Sequence, residues 1–267
     1  MLELSTGAAA YRIRPDGGPE DRSRRRVLVV ADRFASFADG ERVLTIAQLT
    51  EQVAAGGAAP DCPGWLLHVG QGVERCDVDA LLDAAGDRLA GTSAVWPTPV
   101  PAAAVHKNRA ENVLLAGLTH PAELRCEADV RVHRDNELIL DHSTGRHLSG
   151  LVIIEAMRQL CTAHFETGYR CGLPDGAYAG IWHRMSLDFQ NFLFVLPAQV
   201  TCDVTEMDLT RKGQLRLRAT TAVRQNDEVV ASAGMEYSLV RSQRVDVLER
   251  HRAAQAVRRH LAAAVAA

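Results

Sequence analysis

Leu140-Asp-His-Ser-Thr-Gly-Arg-His-Leu-Ser-Gly-Leu-Val-Ile-Ile-Glu-Ala-Met-Arg-Gln-Leu160 is the stretch on which the reading of this chain turns. A polar loop bearing histidines and glycines runs without a break into an apolar helix. From Leu151 the apolar positions 151–154, 156, 157 and 160 surround the helix on most sides, which argues for burial inside a larger structure. Glu155, Arg158 and Gln159 are then polar groups in an apolar setting, where a charge is costly unless it is paired or used. Any chemistry is to be sought here.

Outward from that helix, expected over about Gly150 to Tyr169, the pattern is β on both sides. Glu127 to Asp135 alternates as a strand, and Leu138 to Leu140 ends a second one. Beyond the helix come strand-like runs at Ala177–Trp182, Ser186–Phe189, Gln199–Met207 and Gln214–Arg224. Asn226-Asp227 is a hairpin signal, and Glu228–Val240 returns as a final strand. An α+β arrangement follows, with an antiparallel sheet wrapped around one central helix: a hotdog fold, expected over 105–240.

The remainder divides as follows. Residues 1–25 are rich in Gly, Pro and charge and are expected to be a flexible arm, with the basic run before Arg26 solvated. Residues 26–95 read as a small α/β domain. Arg26-Val-Leu-Val-Val-Ala31 is a buried strand, Arg42–Ala47 a strand or the start of a helix to Ala55, and Gly64–Gly70 a further strand. Asp77–Gly86 is expected as a helix with Asp77 at its N-cap and Gly86 at its C-cap. Gly70-Gln-Gly72 lacks the third glycine of a dinucleotide-binding turn, where Arg75 stands instead. It is read as an ordinary turn. Trp96-Pro-Thr-Pro-Val-Pro101 is stiff and extended, and 96–104 is expected to be a linker. Residues 241–267 show amphipathic helical spacing.

Composition excludes some function classes. With 30 Lys and Arg against 33 Asp and Glu, the formal net charge is -3, and no global field attracts nucleic acid or anionic lipid. No apolar run reaches the roughly 20 residues of a membrane span, and a cytoplasmic location is expected. The 6 cysteines form no C-x-x-C pair, so their spacing suggests neither metal nor disulfide. No cofactor is expected.

Three segments also resemble a known family. Asp141-His-Ser-Thr-Gly-Arg-His147, then Gly150, then Glu155-Ala-Met-Arg-Gln159 are similar to the signature of the A-factor biosynthesis (AfsA-like) hotdog family. Val105-His-Lys-Asn-Arg-Ala-Glu-Asn-Val-Leu-Leu115 resembles its leading motif, and Leu187-Asp-Phe-Gln-Asn-Phe192 its strand after the helix. The resemblance implies transfer of a β-ketoacyl group from acyl carrier protein to dihydroxyacetone phosphate, a step towards γ-butyrolactone signals in bacteria. Members usually carry two hotdog units in tandem, whereas one is visible here. A weaker resemblance, through His142, Gly145 and Glu155, runs to the β-hydroxyacyl-carrier-protein dehydratases.

These readings give each residue a candidate role and an alternative. Glu155, desolvated in an apolar helix, is expected to gain basicity and act as a general base. Its alternative is an ion pair with Arg158, three residues on. Arg158 could clamp a phosphate, and Gln159 could polarise a carbonyl or simply bond to backbone. Gly150 opens the helix where amide groups could stabilise an oxyanion. His147 and His142 are candidate acids or bases, with Asp141 orienting either one. Asn191 and His183 are expected on strands lining an acyl tunnel, and His106 and Lys107 on the surface.

Three functions remain open. One is acyl transfer from acyl carrier protein or a coenzyme A thioester to a hydroxyl. The second is dehydration or hydrolysis of such a thioester. The third is non-catalytic binding of an acyl ligand. A Glu155 packed away from any cavity and fully paired to Arg158 would remove both enzyme readings. Because one hotdog unit leaves a sheet edge uncovered, a homodimer is expected.

Overall fold

The structure is a computed structural model that describes residues 25–55, 65–86, 89–92, 96–139, 145–168, 173, 176–211 and 214–265. The proposed arm lies outside these residues except for Arg25, which begins the first strand. The N-terminal layer is a parallel sheet of β1 (Arg25–Val30), β2 (Val43–Thr45), β3 (Trp65–Val69) and β4 (Leu89–Thr92) in the order β2-β1-β3-β4. α1 (Ile46–Ala54) starts at Thr45, whose side chain and Gln48 form a reciprocal cap, so the stretch read as strand or helix is both in succession. α2 (Arg75–Ala85) begins before the expected Asp77. Glu74 is its cap, and Asp77 closes the box by accepting from the Glu74 amide at 2.8 Å.

The second layer is a six-stranded antiparallel sheet in the order β5-β6-β8-β9-β10-β7. Its strands are β5 (Leu115–Ala122), β6 (Arg125–Val130), β7 (Tyr178–Phe189), β8 (Ala198–Arg211), β9 (Gln214–Gln225) and β10 (Glu228–Arg241). Alternation in β9 buries Leu215, Leu217, Ala219, Thr221 and Val223 and exposes Arg216, Arg218, Thr220 and Arg224. Asn226 and Asp227 both adopt positive φ, at 51° and 63°, and close the β9–β10 hairpin as expected.

α3 (Gly150–Thr167) lies against this sheet. The Leu151 amide donates to the Ser149 hydroxyl at its start (3.1 Å), and the Gly168 amide donates to the His164 carbonyl at its end (2.7 Å). Val152, Ala156, Met157, Leu160, Ala163 and Phe165 are essentially inaccessible. This is the hotdog architecture. α4 (Ser242–Val265) follows β10.

Two expected strands are displaced. The pair before α3 is the β5–β6 hairpin, and 131–139 is a loop with a short 3-10 turn at Glu137–Ile139. β7 is one continuous strand where two runs were expected, with a register shift opposite Glu236 and Tyr237 of β10. The proline-rich stretch is extended and is held along β5. The Val100 amide donates to the Leu115 carbonyl (3.0 Å) and the Gly117 amide to the Thr98 carbonyl (2.9 Å).

The two layers share a core, because Val30, Ala31 and Phe34 join the cluster that surrounds α3. The Gly70-Gln-Gly72 turn makes the joint. The buried Gln71 amide donates to the carbonyls of Val130 and Leu196, each at 3.0 Å, and its oxygen accepts from the Val132 amide at 2.8 Å. A Cβ on Gly70 would stand 2.7 Å from the Val195 carbonyl, and one on Gly72 2.7 Å from Ala31 Cβ. The turn is therefore a docking device. Arg131 on Glu74 (2.9 Å) and Arg134 on Asp77 (2.6 Å) add ion pairs at the acidic start of α2.

Candidate functional site

The residues singled out on α3 fall into two groups one turn apart. At the helix start, a Cβ on Gly150 would lie 3.0 Å from the Phe189 ring, so glycine is what lets that ring cover the first turn. Leu151, Phe189 and Phe192 are 61%, 55% and 64% exposed, an apolar surface at the positive end of the helix dipole. The His147 ring packs on Phe192, with centroids 4.8 Å apart, and His147 bridges to Phe194. Gly145, at φ 60°, carries the loop past Ser36. Asp141 and His142 lie outside the described residues.

One turn further along, Glu155 is surrounded by donors. Lys107 reaches its Oε1 at 2.6 Å, Arg158 binds both oxygens at 2.8 Å, and the Gln159 amide donates at 3.0 Å. Burial pushes the carboxyl pKa up, but the Arg158 fork, the Lys107 ammonium and the Gln159 amide outweigh it and hold it at about 2, from 4.5. The expected gain in basicity is thus corrected. Glu155 is a stable anion and a poor general base in this arrangement.

Its neighbours are also committed to protein partners. Besides Glu155, Arg158 donates to the Val105 carbonyl at 3.1 Å, so its fork faces the protein and not a phosphate. Gln159, fully buried, accepts from the Leu114 amide and donates to the Asn112 carbonyl, both at 2.8 Å. Both arrangements are the alternatives weighed from the sequence, an ion pair with Glu155 for Arg158 and bonding to backbone for Gln159. The three residues tie α3 to the segment 105–114 instead.

Other expectations shift as well. Asn191 is exposed in the bend after β7, and its side chain donates to the Val229 carbonyl at 3.0 Å. His183 is exposed on β7 and bonds the Ser238 hydroxyl at 2.8 Å. Lys107, read as a surface residue, is a direct partner of Glu155. His106 adopts φ 54°, and the turn it caps starts the residues that carry Lys107 to α3. The family-like motif at Val105–Leu115 was the available signal for that pairing.

Comparison with known proteins gives the following. Among curated proteins, none matches this chain. Solved structures with similar folds include a hot-dog-like protein from Thermanaerovibrio acidaminovorans, at 15% identity and TM-score 0.38, covering 49% of this chain and 92% of that one. A mutant thioesterase from Pseudomonas aeruginosa has 10% identity and TM-score 0.39, covering 55% of this chain and 99% of its own. The zebra fish thioesterase superfamily member 2 has 16% identity and TM-score 0.34, covering 45% and 77%. None of these likenesses bears on activity. Among the described residues no helix is long and apolar enough to cross a membrane. The profile of the A-factor biosynthesis hotdog domain matches residues 92–241, more than half of the sequence and all of the antiparallel layer. This chain belongs to the A-factor biosynthesis hotdog domain family.

Proposed function

We propose that this protein acts on an acyl thioester carried by acyl carrier protein or coenzyme A, and that it transfers a β-ketoacyl group to a hydroxyl acceptor. Family membership supports the substrate class. The observation that carries the location is the start of α3, where Gly150 adjoins the exposed surface of Leu151, Phe189 and Phe192. Partial positive charge there favours an oxygen that becomes anionic as the thioester carbonyl is attacked. His147, against Phe192, is the group that takes the proton from the attacking hydroxyl. The Glu155 network holds the helix in place and takes no proton.

That last feature also favours a second reading, a protein that binds the acyl ligand without chemistry. Mass spectrometry of a β-ketoacyl carrier protein incubated with the enzyme, with and without dihydroxyacetone phosphate, separates the two. Acceptor-dependent loss of the acyl group is expected. His147→Ala should slow it by about a hundredfold or more, while Glu155→Gln keeps turnover per folded molecule within about tenfold. Loss without acceptor would replace transfer by hydrolysis, and loss of water from a β-hydroxyacyl substrate would replace it by dehydration. No reaction with any thioester would leave binding alone.

We also propose that two copies associate through β7. It is an edge strand of 12 residues bearing exposed Trp182 and Phe189, and a long apolar edge invites pairing. Light scattering should give twice the monomer mass at micromolar concentration. A monomer would refute the pairing and leave the assignment of the substrate untouched.

A further inference from the structure

We propose that Cys126, Cys202 and His164, with Cys161 as fourth donor, form a buried zinc site that fastens the second half of α3 to β6 and β8. The residues come from three elements. Cys126 and Cys202 are register partners on β6 and β8, while Cys161 and His164 are one turn apart on α3. The donor atoms of Cys126, His164 and Cys202 all lie within 4.8 Å of one another. Cys161 Sγ is 3.6 Å from Cys202 Sγ. All four side chains are at most 2% exposed.

These separations can be set against a tetrahedral zinc centre. With Zn–S bonds of about 2.3 Å, ligand sulfurs stand roughly 3.8 Å apart. The Cys161–Cys202 edge already has that length, and the edges among Cys126, His164 and Cys202 need to close by at most about 1 Å, within reach of small side-chain rotations. Three sulfurs and an imidazole nitrogen are a donor set that suits a borderline-soft ion such as zinc, and one that magnesium or calcium does not favour.

The histidine is prepared for the task. Its Nε2 lies 3.1 Å from the Glu123 carbonyl, which can only accept, so Nε2 carries the proton and Nδ1 holds the lone pair. A backbone carbonyl that fixes the tautomer is the usual outer partner of a metal-binding histidine. Cys126 Sγ lies 4.0 Å from the Leu160 carbonyl, and Cys161 Sγ lies 3.8 Å from the Met235 sulfur.

The test uses the full-length protein, purified under reducing conditions. Elemental analysis is expected to find about one zinc per chain. After removal of the metal, added cobalt should give thiolate charge-transfer bands and the strong visible bands of a tetrahedral site. Zinc should also raise the melting temperature and protect the buried thiols from alkylation after partial unfolding. Cys126→Ala with Cys202→Ala should abolish the cobalt spectrum, whereas Cys76→Ala, at an exposed position, should not. The wild-type spectrum stands on its own if the double variant fails to fold. Absence of bound zinc together with a featureless cobalt titration would overturn the proposal, as would a cobalt spectrum unchanged in a folded double variant.

Discussion

Two half-buried carboxyl groups in this fold behave in opposite ways. Glu155 on α3 and Asp129 on β6 both lose water on folding, and for both burial pushes the pKa up. Glu155 ends at about 2 and Asp129 at about 6. The difference lies in their company. Glu155 faces two cations and an amide donor, all within 3.0 Å. Asp129 shares its face of β6 with Glu127, two residues away on the same strand, and that charge raises its pKa further. Desolvation has one sign for every carboxyl group. Partners decide whether the acid strengthens or weakens the fold.

The comparison can be broken at its stronger end first. Arg158→Ala removes two charge-assisted hydrogen bonds and leaves Glu155 with Lys107 and Gln159. A loss of about 3 to 4 kcal/mol at pH 7 is expected in urea unfolding. The pH profile sharpens the result. A folded-state pKa of about 2 against 4.5 unfolded means the Glu155 contribution is complete above about 4.5 and is lost as pH falls towards 2. That limb, about 3 kcal/mol in the wild type by the size of the shift, should flatten in Arg158→Ala. An unchanged acid limb would show that Arg158 does not hold the charge.

The weaker end predicts the reverse sign. Asp129, with a folded pKa of about 6 against 3.8, contributes stability below about 3.8 that is lost as pH rises through 6. Asp129→Asn should therefore stabilise the protein by about 2 kcal/mol at pH 8 and by little at pH 4, measured by thermal unfolding at both values. Destabilisation at pH 8 would mean that the ionised carboxylate is satisfied there.

Local pattern carried much of this fold. The alternation of β9, the Asn226-Asp227 turn and the apolar course of α3 each have a short-range signature, and each lies where it was expected. β5 has none, because Gly117 and Pro121 interrupt Leu115–Ala122 and disguise it as a loop. The location of the Glu155 group was legible, but its protonation state was not. Lys107 arrives from 48 positions upstream, so nothing near Glu155 in sequence announces a second cation. The cysteines illustrate the same limit. Positions 126, 161 and 202 have no motif spacing, and only the pairing of β6 with β8 under α3 brings them together.

The joint made by Gln71 has a consequence for the order in which the molecule assembles. One of its partners, Leu196, lies 125 residues further along the chain, whereas the β9–β10 hairpin closes over a two-residue turn. At ribosomal speeds of about 5 to 20 residues per second, roughly 6 to 25 s separate synthesis of the two halves of that joint. For that interval the parallel layer has its strands and helices but no surface to cover Val30, Ala31 and Phe34. The nascent chain thus carries an exposed apolar face that only the completed antiparallel sheet removes.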